Sequence, residues 1–242
     1  MVEGLYIQAE IRTNETLSLG RKQANMSLIF KGLLRFGELA LFQGHYREAG
    51  DRFDDGLTYF RKKGHELNTA YFLHALGLLD WATGELEQAL RICTEALTHC
   101  RLIGDHYLEA MVLCLFGKVT FAQCEINEAQ VLFEQVLQKN IPFHNIILFH
   151  HEPIMITLEA IATIAVVQKE YKPGARLLGV TEAWHQRAFN VRTPRERQER
   201  EGCVITLSSA IGEKEFMDDF SEGQALSIEQ AILEAEEFIR ER

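Results

Sequence analysis

Three histidines followed by a glutamate are the residues in this sequence best suited to bind a metal ion. They are His144, His150, His151 and Glu152. Imidazole and carboxylate groups are common zinc ligands, but zinc sites usually show a His-Glu-x-x-His spacing or accompanying cysteine pairs. This segment has neither pattern. We therefore interpret its histidines as loop or packing residues and predict no metal and no cofactor.

Five cysteines are the only candidate thiol nucleophiles: Cys93, Cys100, Cys114, Cys124 and Cys203. Their number is odd and no pair has a Cys-x-x-Cys spacing, which favours reduced thiols in the cytoplasm over a disulfide framework. A reactive thiolate requires a basic neighbourhood, and the sequence shows none around these residues.

Motifs for nucleotide binding and hydrolysis are also missing. Gly117-Lys118-Val119 lacks the first glycine and the hydroxyl residue of a phosphate-binding loop, and no serine lies in a Gly-x-Ser-x-Gly elbow. Acidic residues are scattered along the chain without a spacing that indicates a catalytic pair. We predict that the chain is not an enzyme.

The composition is that of a folded helical protein. Of the 242 residues, 47% are apolar and 25% are charged, and four prolines leave room for long helices. The net charge of −10 repels phosphate backbones, so we expect no direct nucleic-acid binding. We see no secretory signal and no apolar run of membrane-spanning length, and we therefore expect a cytoplasmic protein without membrane contact.

An internal repeat with a period of forty residues organises the first two thirds of the chain. Three copies share residues of one kind in several columns. These columns are Gly37, Gly77 and Gly117; Gly44, Gly84 and Cys124; Tyr46, Leu86 and Ile126; Ala49, Ala89 and Ala129; Phe53, Cys93 and Phe133; Leu57, Leu97 and Leu137. The first glycine permits close approach of a partner helix, and the second permits a positive φ at a helix end.

These columns resemble the tetratricopeptide repeat, which is a pair of antiparallel helices. The resemblance implies an all-α fold, a right-handed α-solenoid of helix pairs with an unusually long period. We predict a partial repeat at residues 5–18, three full repeats, and a degenerate repeat with its first helix at residues 158–167 and its turn at 169–174. Pro142 and Pro153 are expected to interrupt helix before it. The predicted array covers residues 1–190.

A C-terminal helical cap is predicted over residues 191–242. Thr193 and Ser227 each begin a capping-box pattern, which predicts helices at 194–211 and 227–240. Residues 175–183 and 216–231 resemble the end of the C-terminal sensor region of bacterial STAND-type ATPases, including LuxR-family and maltose-activator-like transcriptional regulators. That resemblance implies a role in signal transduction and transcription regulation, with an upstream ATPase domain as a partner.

An arginine-rich segment begins the cap. Its members are Arg187, Arg192, Arg195, Arg197 and Arg200. Three glutamates interleave them, so we predict a salt-bridged face exposed to solvent. An alternative is that the acidic tail after residue 213 docks on this face.

The resemblance to tetratricopeptide arrays also implies a concave groove lined by the first helix of each pair. The predicted groove residues are Lys31, Leu34, Glu38, Leu41, Tyr71, His74, Leu78, Trp81, Met111, Cys114, Lys118 and Phe121. This apolar and aromatic strip suits a protein or peptide segment, with Trp81 as an anchor. A second interpretation is that Trp81 and Phe121 only bridge neighbouring helices.

The predicted function is a non-catalytic sensor module that binds a protein segment or an inducer. Two alternatives are a free-standing scaffold for protein–protein interaction and a small-molecule receptor with a deeper, more polar groove.

Overall fold

Twelve α-helices and no strand are present in the part of the chain described by the computed structural model, residues 2–139, 152–188 and 192–241. The helices are α1 (Val2–Lys22), α2 (Met26–Gln43), α3 (Tyr46–Lys62), α4 (Glu66–Thr83), α5 (Leu86–Ile103), α6 (His106–Ala122), α7 (Ile126–Gln138), α8 (Glu152–Val167), α9 (Tyr171–Ala188), α10 (Pro194–Ile211), α11 (Glu213–Gln224) and α12 (Ile228–Arg240). The prediction of an all-α fold built from helix pairs is confirmed. None of the helices in these ranges combines the length and the apolar character that a membrane span needs.

The chain divides into two compact units, residues 1–108 and 109–242, with the division in the first turn of α6. In the first unit each helix packs on the next one along the chain, from α1 to α5. Aromatic rings join three of these helices. Phe30 of α2, Phe60 of α3 and Phe72 of α4 have ring centroids between 5.7 and 6.0 Å apart.

The turns between paired helices have the conformation that the repeat predicts. Gly44 and Gly84 end α2 and α4 with φ values of 80° and 88°. Each turn is closed by a backbone hydrogen bond to the preceding helix, for example from Glu85 N to the Asp80 oxygen at 2.8 Å. Cys124 occupies this position in the third copy and has a φ of 68°, a conformation disfavoured for a residue with a side chain.

The glycine column in the first helices makes room for phenylalanine rings. A Cβ atom on Gly37 would overlap the ring of Phe53, and one on Gly117 would overlap the ring of Phe133. Both rings come from the second helix of the same pair and are completely buried. In the first and third copies, the glycine column and the phenylalanine column of the repeat therefore belong to the same contact between paired helices.

In the second unit α7, α8, α9 and α12 share a core with residues of α10 and α11. α8 begins at Glu152, six residues before the start that we predicted. The prediction that Pro153 interrupts helix is wrong, because this proline lies in the first turn, where the missing N–H has no helical acceptor to lose.

Thr193 and Ser227 both form complete capping boxes, as predicted, and α10 has the predicted bounds. α11 was not predicted. The three histidines at 144, 150 and 151 lie outside the described residues. The predicted boundary between array and cap, at 190/191, falls within the sequence range of the second compact unit, among residues that the structure does not describe.

Candidate partner-binding surface

The predicted groove residues of the first unit lie on α2 and α4, the first helices of the first two repeats. Five of them keep exposed surface: Lys31, Glu38, Tyr71, His74 and Leu78. Lys31 is exposed, and Glu38 accepts a hydrogen bond from Arg35 one turn earlier at 2.8 Å. These side chains are the part of the predicted groove that is open to a partner within this unit.

Three predicted groove residues of the first unit are buried instead. Leu34 is 8% exposed, Leu41 is completely buried, and Trp81 is 1% exposed. A side chain with so little accessible surface cannot anchor a partner in this conformation. The prediction of Trp81 as a surface anchor is therefore corrected, since the indole contributes its area to the core of the unit.

Tyr71 and His74 are two side chains of this surface whose pKa values are shifted. Tyr71 packs edge-on against Phe30, with ring centroids 5.5 Å apart. Burial, followed by the nearby Asp105 carboxylate and Cys100, raises the pKa of Tyr71 to about 12. Burial lowers the pKa of His74 to about 4. At neutral pH this part of the surface therefore carries a neutral phenol and a neutral imidazole, with Lys31 as an exposed cation.

The predicted groove residues of the second unit are Met111, Cys114, Lys118 and Phe121 of α6. Met111 and Phe121 are partly exposed. Cys114 is 1% exposed, and its sulfur donates to the Pro153 oxygen at 3.1 Å and lies 3.1 Å from the Thr157 hydroxyl. Burial raises the pKa of this thiol to about 12. Cys114 therefore joins α6 to α8 and is neither a ligand-contacting nor a reactive residue.

Lys118 is already engaged by another part of the chain. Its ammonium donates to Glu196 Oε1 of α10 at 2.7 Å, and both side chains are largely covered, at 12% and 21% exposed. The second carboxylate oxygen of Glu196 accepts the Thr193 N–H at 2.8 Å in the capping box. One glutamate thus closes the helix start of α10 and holds α10 on α6.

A group of carboxylates on α8 and α9 holds two of the arginines. Arg192 donates to both oxygens of Glu159, with its Nε 3.0 Å from Oε1, and lies 3.8 Å from Glu182. Arg200 contacts Glu182 at 2.7 Å and Glu159 at 3.9 Å. Together with Lys118 and Glu196, these residues form an assembly of three cations and three carboxylates, which we call the α10 clamp.

Glu159 is the central carboxylate of the α10 clamp. Burial alone raises the pKa of this group, but His185, whose Nε2 lies 3.3 Å away, and the two arginine cations outweigh burial. The result is a pKa of about 2. Glu159 is therefore ionised throughout the physiological range and balances the charge of Arg192 and Arg200.

The prediction of a solvent-exposed arginine face is right for part of the segment. Arg195 pairs with Glu199 one turn away, and Arg197 is exposed. The side chains of Arg192 and Arg200 are only 14% and 13% exposed, because both form ion pairs inside the α10 clamp. The side chain of Arg187 lies outside the described residues.

The tail binds elsewhere on the second unit. Glu222 of α11 and Glu234 of α12 both accept hydrogen bonds from Arg176 of α9, the bond to Glu234 being 2.7 Å long. Lys172, also on α9, lies 3.4 Å from Asp219 of α11. The acidic tail thus uses basic residues of α9 that we had not singled out.

Sequence reasoning missed Glu159, Glu182 and His185. A signal for the first was present, because Glu159 is the one charged residue between Glu152 and Lys169 in an otherwise apolar helix. A lone charge in such a helix indicates a buried ion pair, since an unpaired one would be strongly destabilising.

Residues 68–139 match the family described as tetratricopeptide repeat. This stretch contains the second and third copies of the forty-residue repeat, and the prediction of this family is confirmed for it. Tetratricopeptide repeats generally mediate protein–protein interaction. No curated protein matches the chain.

Proposed function

We propose that this chain is a non-catalytic module that binds a protein segment on the first helices of its repeats. The observation that carries this proposal is the tetratricopeptide match over residues 68–139. The partly exposed side chains of α2 and α4 support it, because Tyr71, His74 and Leu78 of α4 present aromatic and apolar area and Lys31 of α2 is an exposed cation. A segment with apolar side chains and an acidic residue suits this surface.

We further propose that the module is the sensor part of a bacterial signalling ATPase or transcriptional regulator. This step is supported by the resemblance of residues 175–183 and 216–231 to the end of such sensor regions. These segments belong to α9, α11 and α12, where Arg176 joins α9 to Glu222 and Glu234. The resemblance to sensor regions thus rests on residues that attach α11 and α12 to α9. The binding of a protein segment is assigned to other residues, on the first helices of the repeats.

Peptide selection on the purified chain tests the binding function. Peptides are selected from a random library, and their affinities are measured by fluorescence anisotropy with Lys31→Glu, His74→Ala and Lys62→Glu variants. We expect the first two substitutions to weaken binding about tenfold, as for residues central to an interface. Lys62 is an exposed lysine of α3, so Lys62→Glu applies the same charge change outside the surface and should leave affinity unchanged.

Two outcomes would contradict this assignment. Equal losses with Lys31→Glu and Lys62→Glu would indicate non-specific charge attraction. A dose-dependent rise in melting temperature with a small metabolite, abolished by His74→Ala, would favour the small-molecule receptor. The link to an ATPase is tested separately, by measuring whether the chain alters nucleotide hydrolysis by a P-loop protein encoded beside it. If only that test failed, the chain would be assigned as a free-standing scaffold for protein–protein interaction.

A further inference from the structure

The first half of α10 is attached to the second unit mainly through charge. Arg192 lies just before α10, whose N-cap is Thr193, and Glu196 and Arg200 lie one turn apart inside the helix. These three side chains face Lys118 of α6 and the carboxylates of α8 and α9 described above. Opposite charges meet at each position.

The second half of α10 is attached differently. Cys203 is 5% exposed, with its sulfur 3.6 Å from the Thr163 hydroxyl, and Leu207 is completely buried in the shared core. Between the two halves lies Gly202, which is exposed and has no atom within 4 Å of the place where a Cβ would be. Glycine inside a helix weakens it by about 1 kcal/mol relative to alanine. Gly202 therefore weakens the helix between the half held by charge and the half held by apolar contacts.

The first half also carries its own helix-starting signal. The capping box of Thr193 and Glu196 is formed by neighbouring residues, with Thr193 Oγ1 accepting the Glu196 N–H at 3.3 Å. A segment with this signal retains helical preference when its outside contacts are lost. Buried ion pairs, moreover, add specificity more readily than stability when compared with apolar packing. These properties suit an exchangeable segment better than a permanent part of the core.

We propose that the surface formed by Lys118, Glu159 and Glu182 is a binding site for a protein segment in which an arginine precedes a helix that carries a glutamate and an arginine at four-residue spacing, and that residues 192–200 occupy it until such a partner replaces them. This inference rests on the proposed function and names a partner chemistry for it. Lys118 lies in a predicted groove column, so the position assigned to a partner in the third repeat is taken by the chain itself. Because the segment belongs to the same chain, its effective concentration is on the order of millimolar, and a partner must bind the open surface tightly to displace it.

A peptide of residues 192–202, supplied in trans, tests the exchange. Its affinity for the full chain is measured by fluorescence anisotropy, before and after Arg192→Glu and Arg200→Glu are introduced together. These changes weaken the chain's own segment but leave Lys118, Glu159 and Glu182 intact. If the chain's own segment occupies the site at least nine tenths of the time, its displacement in the double variant raises the apparent affinity for the peptide at least about tenfold. Adding Lys118→Glu should remove that gain, and a peptide with Glu196→Lys should restore it.

Arg195→Glu with Arg197→Glu is the matched control, since Arg195 pairs with Glu199 of its own helix and Arg197 donates to the carbonyl oxygen of Arg192, so both reversed charges have partners within the segment. The control variant should bind the peptide as weakly as the unmodified chain does. Hydrogen exchange gives a second measurement: amides of residues 195–201 should exchange faster after Arg192→Glu and Arg200→Glu, while those of 204–210 stay protected.

Two results would overturn the proposal. One is a folded Arg192→Glu, Arg200→Glu chain with no gain in peptide affinity. The other is loss of the folded state in that chain while the control stays folded, which would make the segment an integral part of the core. Either result leaves the binding function standing if Lys31→Glu and His74→Ala still weaken selected peptides, because those residues belong to the other compact unit.

Discussion

Gly179 of α9 and Gly223 of α11 lie at one helix crossing, where each helix backbone fills the space of the missing side chain on the other. A Cβ on Gly179 would overlap the carbonyl oxygen of Phe220, and one on Gly223 would overlap the carbonyl oxygen of Arg176. Both glycines lie in residues 175–183 and 216–231, the two segments on which the proposed sensor role rests. The most distinctive sequence feature of the chain is therefore a requirement of packing between α9 and α11.

Gly179→Ala should destabilise the second unit by at least about 3 kcal/mol, because the added methyl group meets backbone, which cannot rotate away. Gly202→Ala is the control: it lies in an exposed part of α10 with free space around it, and should be neutral or stabilising by up to about 1 kcal/mol. Urea unfolding followed by fluorescence measures both. The chain has two tryptophans, Trp81 in the first unit and Trp184 in the second, so a Trp81→Phe background reports the second unit. Equal stabilities of the two variants would contradict the tight crossing.

Glu159→Gln should destabilise the second unit by about 3 kcal/mol at neutral pH, because it leaves Arg192 and Arg200 largely covered without their central counter-charge. Glu199→Gln removes a carboxylate whose pair with Arg195 lies within one turn of α10, and should cost less than about 0.5 kcal/mol. Unfolding in urea, followed by Trp184 fluorescence, compares them. A Glu159→Gln effect as small as that of Glu199→Gln would show that the clamp contributes little to stability.

The same carboxylate gives a pH dependence of known sign. The pKa of Glu159 is about 2 in the folded chain and about 4.5 when unfolded, so its stabilisation is complete above pH 4.5 and is lost as the pH falls toward 2. The stability difference between the unmodified chain and Glu159→Gln should therefore be constant from pH 7 to pH 5 and shrink below pH 4.5. A difference that shrinks already between pH 7 and pH 5 would assign the effect to another group.

His74 should make the first unit less stable in mild acid. Its pKa is about 4 when folded, against 6.5 for an unhindered histidine, so the unfolded chain binds more protons between these values. The contribution of neutral His74 is complete above pH 6.5 and falls by up to about 2 kcal/mol by pH 5. Asp80, whose pKa burial raises to about 6, acts in the opposite direction in the same unit.

The comparison with His74→Gln isolates the histidine, since Asp80 contributes equally to both chains. Trp81 fluorescence in a Trp184→Phe background provides the measurement. The unmodified chain should lose more stability than His74→Gln between pH 7 and pH 5. Parallel pH profiles of the two chains would show that His74 does not titrate in this window.

Gly84→Ala and Cys124→Gly should change stability in opposite directions. Both positions have a left-handed backbone, and Gly84 has free space around it, so an added Cβ costs about 1 kcal/mol through the backbone alone. Cys124→Gly relieves the same strain, and after the entropy lost on ordering a glycine the net gain is about 0.5 kcal/mol. Urea unfolding of each unit measures both. Destabilisation by Cys124→Gly would mean that the Cys124 side chain contributes more than its backbone strain.

Much of the repeat architecture was predictable because its signals are local and periodic. The turn positions of Gly44, Gly84 and Cys124 recur every forty residues, and the matched stretch 68–139 contains two copies. The starts of α10 and α12 were predicted from capping boxes, in which every hydrogen-bonding partner lies within three residues. The start of α8 was placed too late because Pro153 was taken as a helix breaker, although proline is favoured in a first turn.

The surface was less predictable because the exposure of a side chain depends on helices far away in the sequence. The predicted groove columns lie on α2, α4 and α6, but they do not reveal that Leu41, Trp81 and Cys114 are buried. A repeat column taken from a family predicts which face of a helix a residue lies on. Whether the side chain is buried also depends on how the neighbouring helices pack against that face and on the length of the side chain.

The sequence by itself determined that this chain is built from paired helices, since helix periodicity, turn glycines and helix caps act over one repeat or less. Only the tertiary structure decided which charges meet. Lys118 and Glu196 are 78 residues apart, and Glu159 is 33 residues from Arg192. Each of these residues has many oppositely charged candidates along the sequence. The packing of α10 and the residues before it on α6, α8 and α9 decides which of these charges meet, because a covered charge is stable only beside a counter-charge.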